Sequence, residues 1–211
     1  GIIEVIYKNP LITGSYNVQL TKYSENDSNT KLSGAKFDYK IYKDVSEGDV
    51  KDIINGDADT KAMSYNNNDK MYHADTTSIT GTNTTDIWAI EEVTPPEGHA
   101  FSKIKNVYFR VFKKEQNGKY IIEKVAVYGQ KDGELQDFEF INPKETVYID
   151  ANGNISKTST TNYSIRVTLG EDEGTIGVIY KNPITEVSLN LNKVDADNNS
   201  EFIEGAKFTV Y

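Results

Sequence analysis

Apolar and polar residues alternate with a period of two along most of this chain, the pattern of half-buried β-strands. Tyr16, Val18, Leu20 and Lys22 fall on one face of a first strand. Phe37, Tyr39 and Ile41 fall on one face of a second, spanning 36–42. A third strand over 87–92 places Trp88, Ile90 and Glu92 together, and Pro95-Pro96-Glu97-Gly98 then stops it. Strands at 107–113 and 119–128 are joined through Asn117-Gly118, and another at 135–141 follows the turn at Asp132-Gly133. A hairpin over 146–150 and 155–157 turns at Asn152-Gly153, and strands at 163–169 and 176–181 close the series. Residues 43–86 are polar and rich in Asn, Asp and Thr, with a weak helical signal at 49–55, and read as a long decorated loop. The whole predicts an all-β, antiparallel, immunoglobulin-like β-sandwich with long insertions near 43–86 and 100–160. No Cys-Trp-Cys framework is present, so an antibody-type domain is excluded.

Superposed on the strand pattern is a repeat. Val5-Ile6-Tyr7-Lys8-Asn9-Pro10 recurs letter for letter as Val178-Ile179-Tyr180-Lys181-Asn182-Pro183. Leu20-Thr21-Lys22 with Gly34-Ala35-Lys36-Phe37 returns, at nearly the same offset, as Leu191-Asn192-Lys193 with Gly205-Ala206-Lys207-Phe208. A fixed period means tandem modules. The expected organisation is the last strand of a preceding repeat (1–13), one complete module (14–183) and the first strands of a following repeat (184–211).

Composition narrows the function classes. The 211 residues carry a formal net charge of −9, which offers no basic patch for nucleic acid. There is no cysteine, so disulfides and thiolate metal sites are unavailable. No apolar run approaches the length of a membrane span. His73 and His99, the only histidines, are far apart in sequence, and neither a phosphate loop nor a Gly-x-Ser-x-Gly elbow occurs. Asp195-x-Asp197-x-Asn199-x-Glu201 lacks the glycine and terminal glutamate of a calcium loop and reads as a turn. No cofactor and no metal are expected.

Three polar residues stand where the alternation calls for apolar ones. Lys22 continues the face of Val18 and Leu20, Glu92 that of Trp88 and Ile90, and Asn182 that of Val178 and Tyr180. Burying a lone Lys or Glu costs several kcal/mol, so three such costs on separate strands are best explained if the groups meet. A desolvated lysine loses its proton and becomes a nucleophile. A neighbouring protonated glutamate can polarise the Asn carboxamide and shuttle protons as ammonia leaves. The product is an intramolecular Lys–Asn isopeptide crosslink, a single-turnover event in which the protein is its own substrate and not an enzyme. Glu91 is the rival to Glu92, but alternation puts it on the solvent face.

These residues also carry a resemblance. Val18-Gln19-Leu20-Thr21-Lys22 followed by Leu32-Ser33-Gly34-Ala35-Lys36-Phe37 resembles the start of collagen-adhesin B-type (Cna B-like, prealbumin-like) modules of Gram-positive surface adhesins and pilins. Trp88-Ala89-Ile90-Glu91-Glu92-Val93-Thr94-Pro95-Pro96-Glu97-Gly98-His99 is similar to that family's E-box, with Pro95 in place of a small residue and His99 in place of a tyrosine. Val178-Ile179-Tyr180-Lys181-Asn182 is similar to its closing strand. The resemblance implies a reverse, prealbumin-like sandwich and a Lys22–Asn182 bond made by Glu92. It also implies a stalk or shaft module on the extracellular, cell-wall-anchored surface, with neighbouring repeats of the same chain as partners. Other pilin subunits are further candidate partners. Asn9 and Lys193 would be the unpaired crosslink equivalents in the flanking repeats. Lys8 and Lys181, in Tyr-Lys-Asn-Pro, loosely resemble the pilin lysine that accepts a sortase linkage, though the residue order differs; the alternative is a solvent-facing lysine. Two other functions stay open: an adhesin domain binding host matrix protein or glycan through the insertions, and an accessory module of a secreted carbohydrate-active protein.

Overall fold

The computed structural model describes residues 12–50, 53, 56, 58–172, 174–185 and 197. Among these the chain forms fifteen strands in two facing sheets. Most of the two flanking repeat fragments, including Lys8, Asn9 and Lys193, lies outside the described residues.

The first sheet centres on β1 (Gly14–Ser24). One side of β1 carries β15 (Thr175–Asn182), running parallel to it from Asn17 opposite Thr175 to Ser24 opposite Asn182. Beyond β15 come β14 (Ile165–Leu169), β12 (Thr146–Ile149) and β13 (Ile155–Ser156), all antiparallel to their neighbours. The other side of β1 is covered in succession by three short strands. β7 (Thr77–Ile79) pairs at Gly14–Tyr16, β6 (Met71–His73) at Gln19 and Leu20, and β2 (Asp27–Lys31) at Tyr23 and Ser24. A hairpin joins β5 (Ser64–Asn66) to β6. The second sheet runs β11 (Glu134–Ile141), β10 (Lys119–Lys131), β9 (Asn106–Gln116), β8 (Ile87–Thr94), β3 (Lys36–Tyr42) and β4 (Asp59–Ala62).

The core is built from the alternating positions of both sheets. Val18, Leu20, Ile90, Phe109, Val125, Val127, Ile165, Val167 and Ile176 are fully buried between them. Trp88 is stacked between Tyr39 at 5.4 Å and Phe109 at 6.0 Å, with Tyr16 edge-on at 5.8 Å. Two of the hairpins turn where the sequence places Asn-Gly and Asp-Gly: Asn117 and Gly118 have φ of 53° and 72°, and Asp132 and Gly133 have 53° and 83°.

Residues 43–86 depart from the expected loop. They supply four of the short strands, β4 to β7, and the part before β4 packs on the outer face of the second sheet. There Val45 and Ile53 join Tyr42, Ile87, Ala89, Tyr108, Tyr128 and Leu135 in a second buried cluster. The reason is local. Strands of three or four residues are too short to show a period, and their edges are satisfied by pairing with β1, with β3 and with each other rather than by their own composition.

Candidate functional site

Lys22, Glu92 and Asn182 meet at one end of the sandwich. Lys22 sits on β1 and Asn182 at the end of neighbouring β15, so both project from the first sheet. Glu92 reaches them from β8 in the second sheet. Lys22 and Asn182 are 0% exposed and Glu92 1%. Lys22 Nζ lies 2.8 Å from Glu92 Oε1, and Asn182 Nδ2 donates to the same oxygen at 2.9 Å. The amine makes an ion contact with the carboxyl but lacks the alignment of a hydrogen bond.

Strand alternation alone delivers these side chains inward. The faces of Val18–Leu20, Trp88–Ile90 and Val178–Tyr180 are apolar and buried, and the next inward position on each strand is polar. Glu91, one residue away, points outward and pairs with Lys40 at 2.7 Å. Burial pulls the Lys22 amine down from 10.5 to about 8, although the negative charge of Glu92 beside it pushes the other way.

The chamber walls are aromatic. Lys22 Nζ lies 5.4 Å from the Tyr180 ring centre and 5.7 Å from that of Phe37. The Tyr180 hydroxyl donates to Ile90 O at 2.8 Å, which ties β15 across to β8 just before Glu92. Phe37 contacts Tyr72 edge-on at 4.9 Å, and Tyr72 contacts Tyr65 at 4.9 Å. The β5–β6 hairpin therefore closes the chamber with Tyr72, which is 2% exposed. Burial pushes its hydroxyl up to about 12, with the charges of Tyr65 and Glu92 adding to the effect. Sequence reasoning did not single out Tyr72 as part of the site. Tyr65 and Tyr72 stand out only as aromatics in an otherwise polar stretch.

As a static network the cluster is poorly satisfied. Glu92 Oε2, Asn182 Oδ1 and the Tyr72 hydroxyl have no hydrogen-bond partner. A buried orphan of this kind costs roughly 1–3 kcal/mol. What the arrangement can do is react: a desolvated amine, a carboxyl and a carboxamide share a dry space from which water competition is excluded.

The chain beyond Asn182 is held to the segment that follows β8. Ala100 N donates to Pro183 O at 3.0 Å, and Thr185 N to Gly98 O at 2.9 Å. His99 also forms an antiparallel bridge with Ile184 through the backbone. His99 Nδ1 lies 3.0 Å from Glu97 O, while His73 contacts Asp69 at 2.9 Å. Among the described residues no group of His, Cys, Asp or Glu could hold a metal.

Lys181 is placed differently from a solvent-facing lysine. It is 7% exposed, its Nζ donates to Thr161 O at 3.2 Å, and it lies over the Tyr163 ring at 4.3 Å. Desolvation lowers its pKa, and nearby Arg166 lowers it further. The turn at 161–164 covers the outer face of β15 here, which strand alternation does not foretell.

No family model matches the sequence, and no curated protein does. Among solved structures, the fold is similar to that of the pilus adhesin SpaC from Lactobacillus rhamnosus GG. The open conformation gives a TM-score of 0.40 at 16% identity, covering 84% of this chain and 15% of that one. The C-terminal fragment of SpaC gives 0.43 at 16% identity, covering 84% and 48%. A further crystal form gives 0.47 at 14% identity, covering 82% and 17%. The chain thus spans less than half the length of each of these structures.

Proposed function

We propose that this chain is a structural module of a Gram-positive surface adhesin or pilin, locked by an amide bond that it forms between Lys22 and Asn182. The observation that carries the reading is the convergence of three buried polar side chains from β1, β8 and β15 on one carboxyl oxygen.

The chemistry follows from the contacts. Passing the Lys22 proton to Glu92 over 2.8 Å gives a neutral amine beside a neutral acid, a transfer eased by the desolvation that lowers the hold of Lys22 on its proton. Turning the Asn182 carboxamide by half a turn puts Oδ1 against the protonated carboxyl, which then polarises Cγ. Nζ attacks Cγ, and Glu92 returns its proton to the departing nitrogen and takes one from the new amide nitrogen. The Nζ–Cγ bond forms, the Cγ–Nδ2 bond breaks and ammonia leaves. The new amide keeps one N–H for Glu92 and removes the buried amine altogether, so the product relieves the unmet polar groups of the precursor.

The crosslink takes the place of the absent disulfides, and the protein turns over once on itself. In this reading the module sits outside the cell, anchored to the wall, in series with neighbouring repeats of the same chain. The test is the intact mass of the purified chain beside Glu92→Ala. The expected result is a deficit of one ammonia, about 17 Da, in the wild type only. Peptide mapping then places the branch at Lys22 and Asn182. A wild-type mass equal to that of the sequence would sink the covalent lock.

A further inference from the structure

We infer that the outer face of the second sheet carries a binding site for a neutral oligosaccharide, at the end strand β11. A cavity of about 580 Å³ opens there, within the range of small-ligand sites. Its wall is a run of edge-to-face aromatic contacts: Tyr128 to Phe138 at 5.6 Å, Phe138 to Phe140 at 5.0 Å, and Phe140 to Phe112 at 5.4 Å. Phe138 is 47% exposed, although the neighbouring stretch of this same face is covered by Val45 and Ile53. Lys124 lies 3.9 Å over the Phe140 ring and fixes it from the side.

The floor is polar and built. Arg110 is only 6% exposed, gives Nη2 to Val45 O at 3.0 Å, and has an Nε without a hydrogen-bond partner. The lining also includes the exposed acids Glu47, Glu134 and Asp137. This charge pattern selects the ligand class. Three acids stand against the guanidinium of Arg110 and the ammonium of Lys124, so the local charge is nearly balanced and selects neither a strongly anionic nor a strongly cationic ligand. Carboxylates that only accept, a guanidinium that only donates and flat apolar rings together suit a ligand whose hydroxyls both donate and accept. A neutral sugar has those hydroxyls and also an apolar C–H face to lay on a ring. The site is separate from the crosslink and adds recognition to a module whose proposed role is mechanical.

The test is an NMR titration of the labelled full chain with lacto-N-tetraose, chitotetraose, maltotetraose and cellotetraose. 3′-Sialyllactose serves as the acidic control and a Thr/Val-alternating peptide as the strand-like control. Saturable shifts confined to residues around 134–140 are expected with at least one neutral sugar, and weaker binding with the acidic one. Phe138→Ala should weaken that binding by at least about 10-fold and Glu47→Gln by several-fold, both with the spectrum of a folded protein. The mass deficit of ammonia should be the same in both variants, so a failed crosslink and a failed sugar site are read separately. Absence of shifts with all four neutral sugars overturns the inference, as does equal or tighter binding of the acidic sugar. Shifts along β11 with the peptide alone would reassign the surface to strand addition.

Discussion

Desolvation acts on Lys22 before any neighbour does. Its amine is held near 8 in the folded chain against 10.5 in an open one, so the uncrosslinked fold binds that proton less well than the unfolded chain. Stability in a variant that cannot close the bond, Asn182→Ala, is therefore penalised below pH 8 and recovers as pH rises from 8 toward 10.5. Relative to the double variant Lys22→Met with Asn182→Ala, the gain by pH 10 should be on the order of 2 kcal/mol in urea titrations. A flat difference would mean that Lys22 keeps its proton when folded. Above pH 10 the absolute stability of both variants should fall, because burial raises Tyr72 and Tyr108 to about 12 and these hydroxyls ionise first in the unfolded chain. Lys22, Glu92 and Asn182 were legible in the sequence because each interrupts an apolar face at the next inward step. The burial of Lys181 on the outer face was not, because the residues that cover it come from another segment.

Among the elements, the short strands matter beyond their length. The β5–β6 hairpin pairs with β1 at Gln19 and Leu20 and brings Tyr72 onto Phe37. Tyr72→Ala should cost about 3–5 kcal/mol and admit water to the chamber, slowing the appearance of the ammonia-deficient mass. Tyr72→Phe removes an unpartnered hydroxyl while keeping the ring, and should leave both stability and crosslinking near wild type. The β12–β13 turn is similarly pinned: Gln130 N donates to Gly153 O at 3.0 Å, and Gly153 has φ of 84°. A Cβ there would lie 1.9 Å from Gln130 O, so Gly153→Ala should destabilise by about 1–3 kcal/mol in thermal melts. The Asn-Gly turn was readable from its residue types, whereas its docking against β10 was not. The same limit applies to β1 and β15: each was legible as a strand, but their parallel pairing joins distant segments that no local pattern connects.

On the scale of the whole molecule, β1 and β15 lie side by side and point the same way, so tension applied at their outer ends shears the ladder. With the bond in place, force passes along β1 to Lys22, crosses to Asn182 and leaves, and the chain between those two residues is outside the load path. Single-molecule pulling should show no length release from the wild-type module. Glu92→Ala should unravel by roughly 3.4 Å per residue of the intervening chain. The parallel pairing also orders events in time. Asn182 ends the last strand of the sandwich, and β15 must settle between β1 and β14 before its carboxamide can reach Glu92. Contacts so distant in sequence are among the slowest to form. The proposed reaction would therefore start only once the sandwich has closed, and its amide would be a permanent record that the chain reached its native topology: a misfolded copy would keep its ammonia.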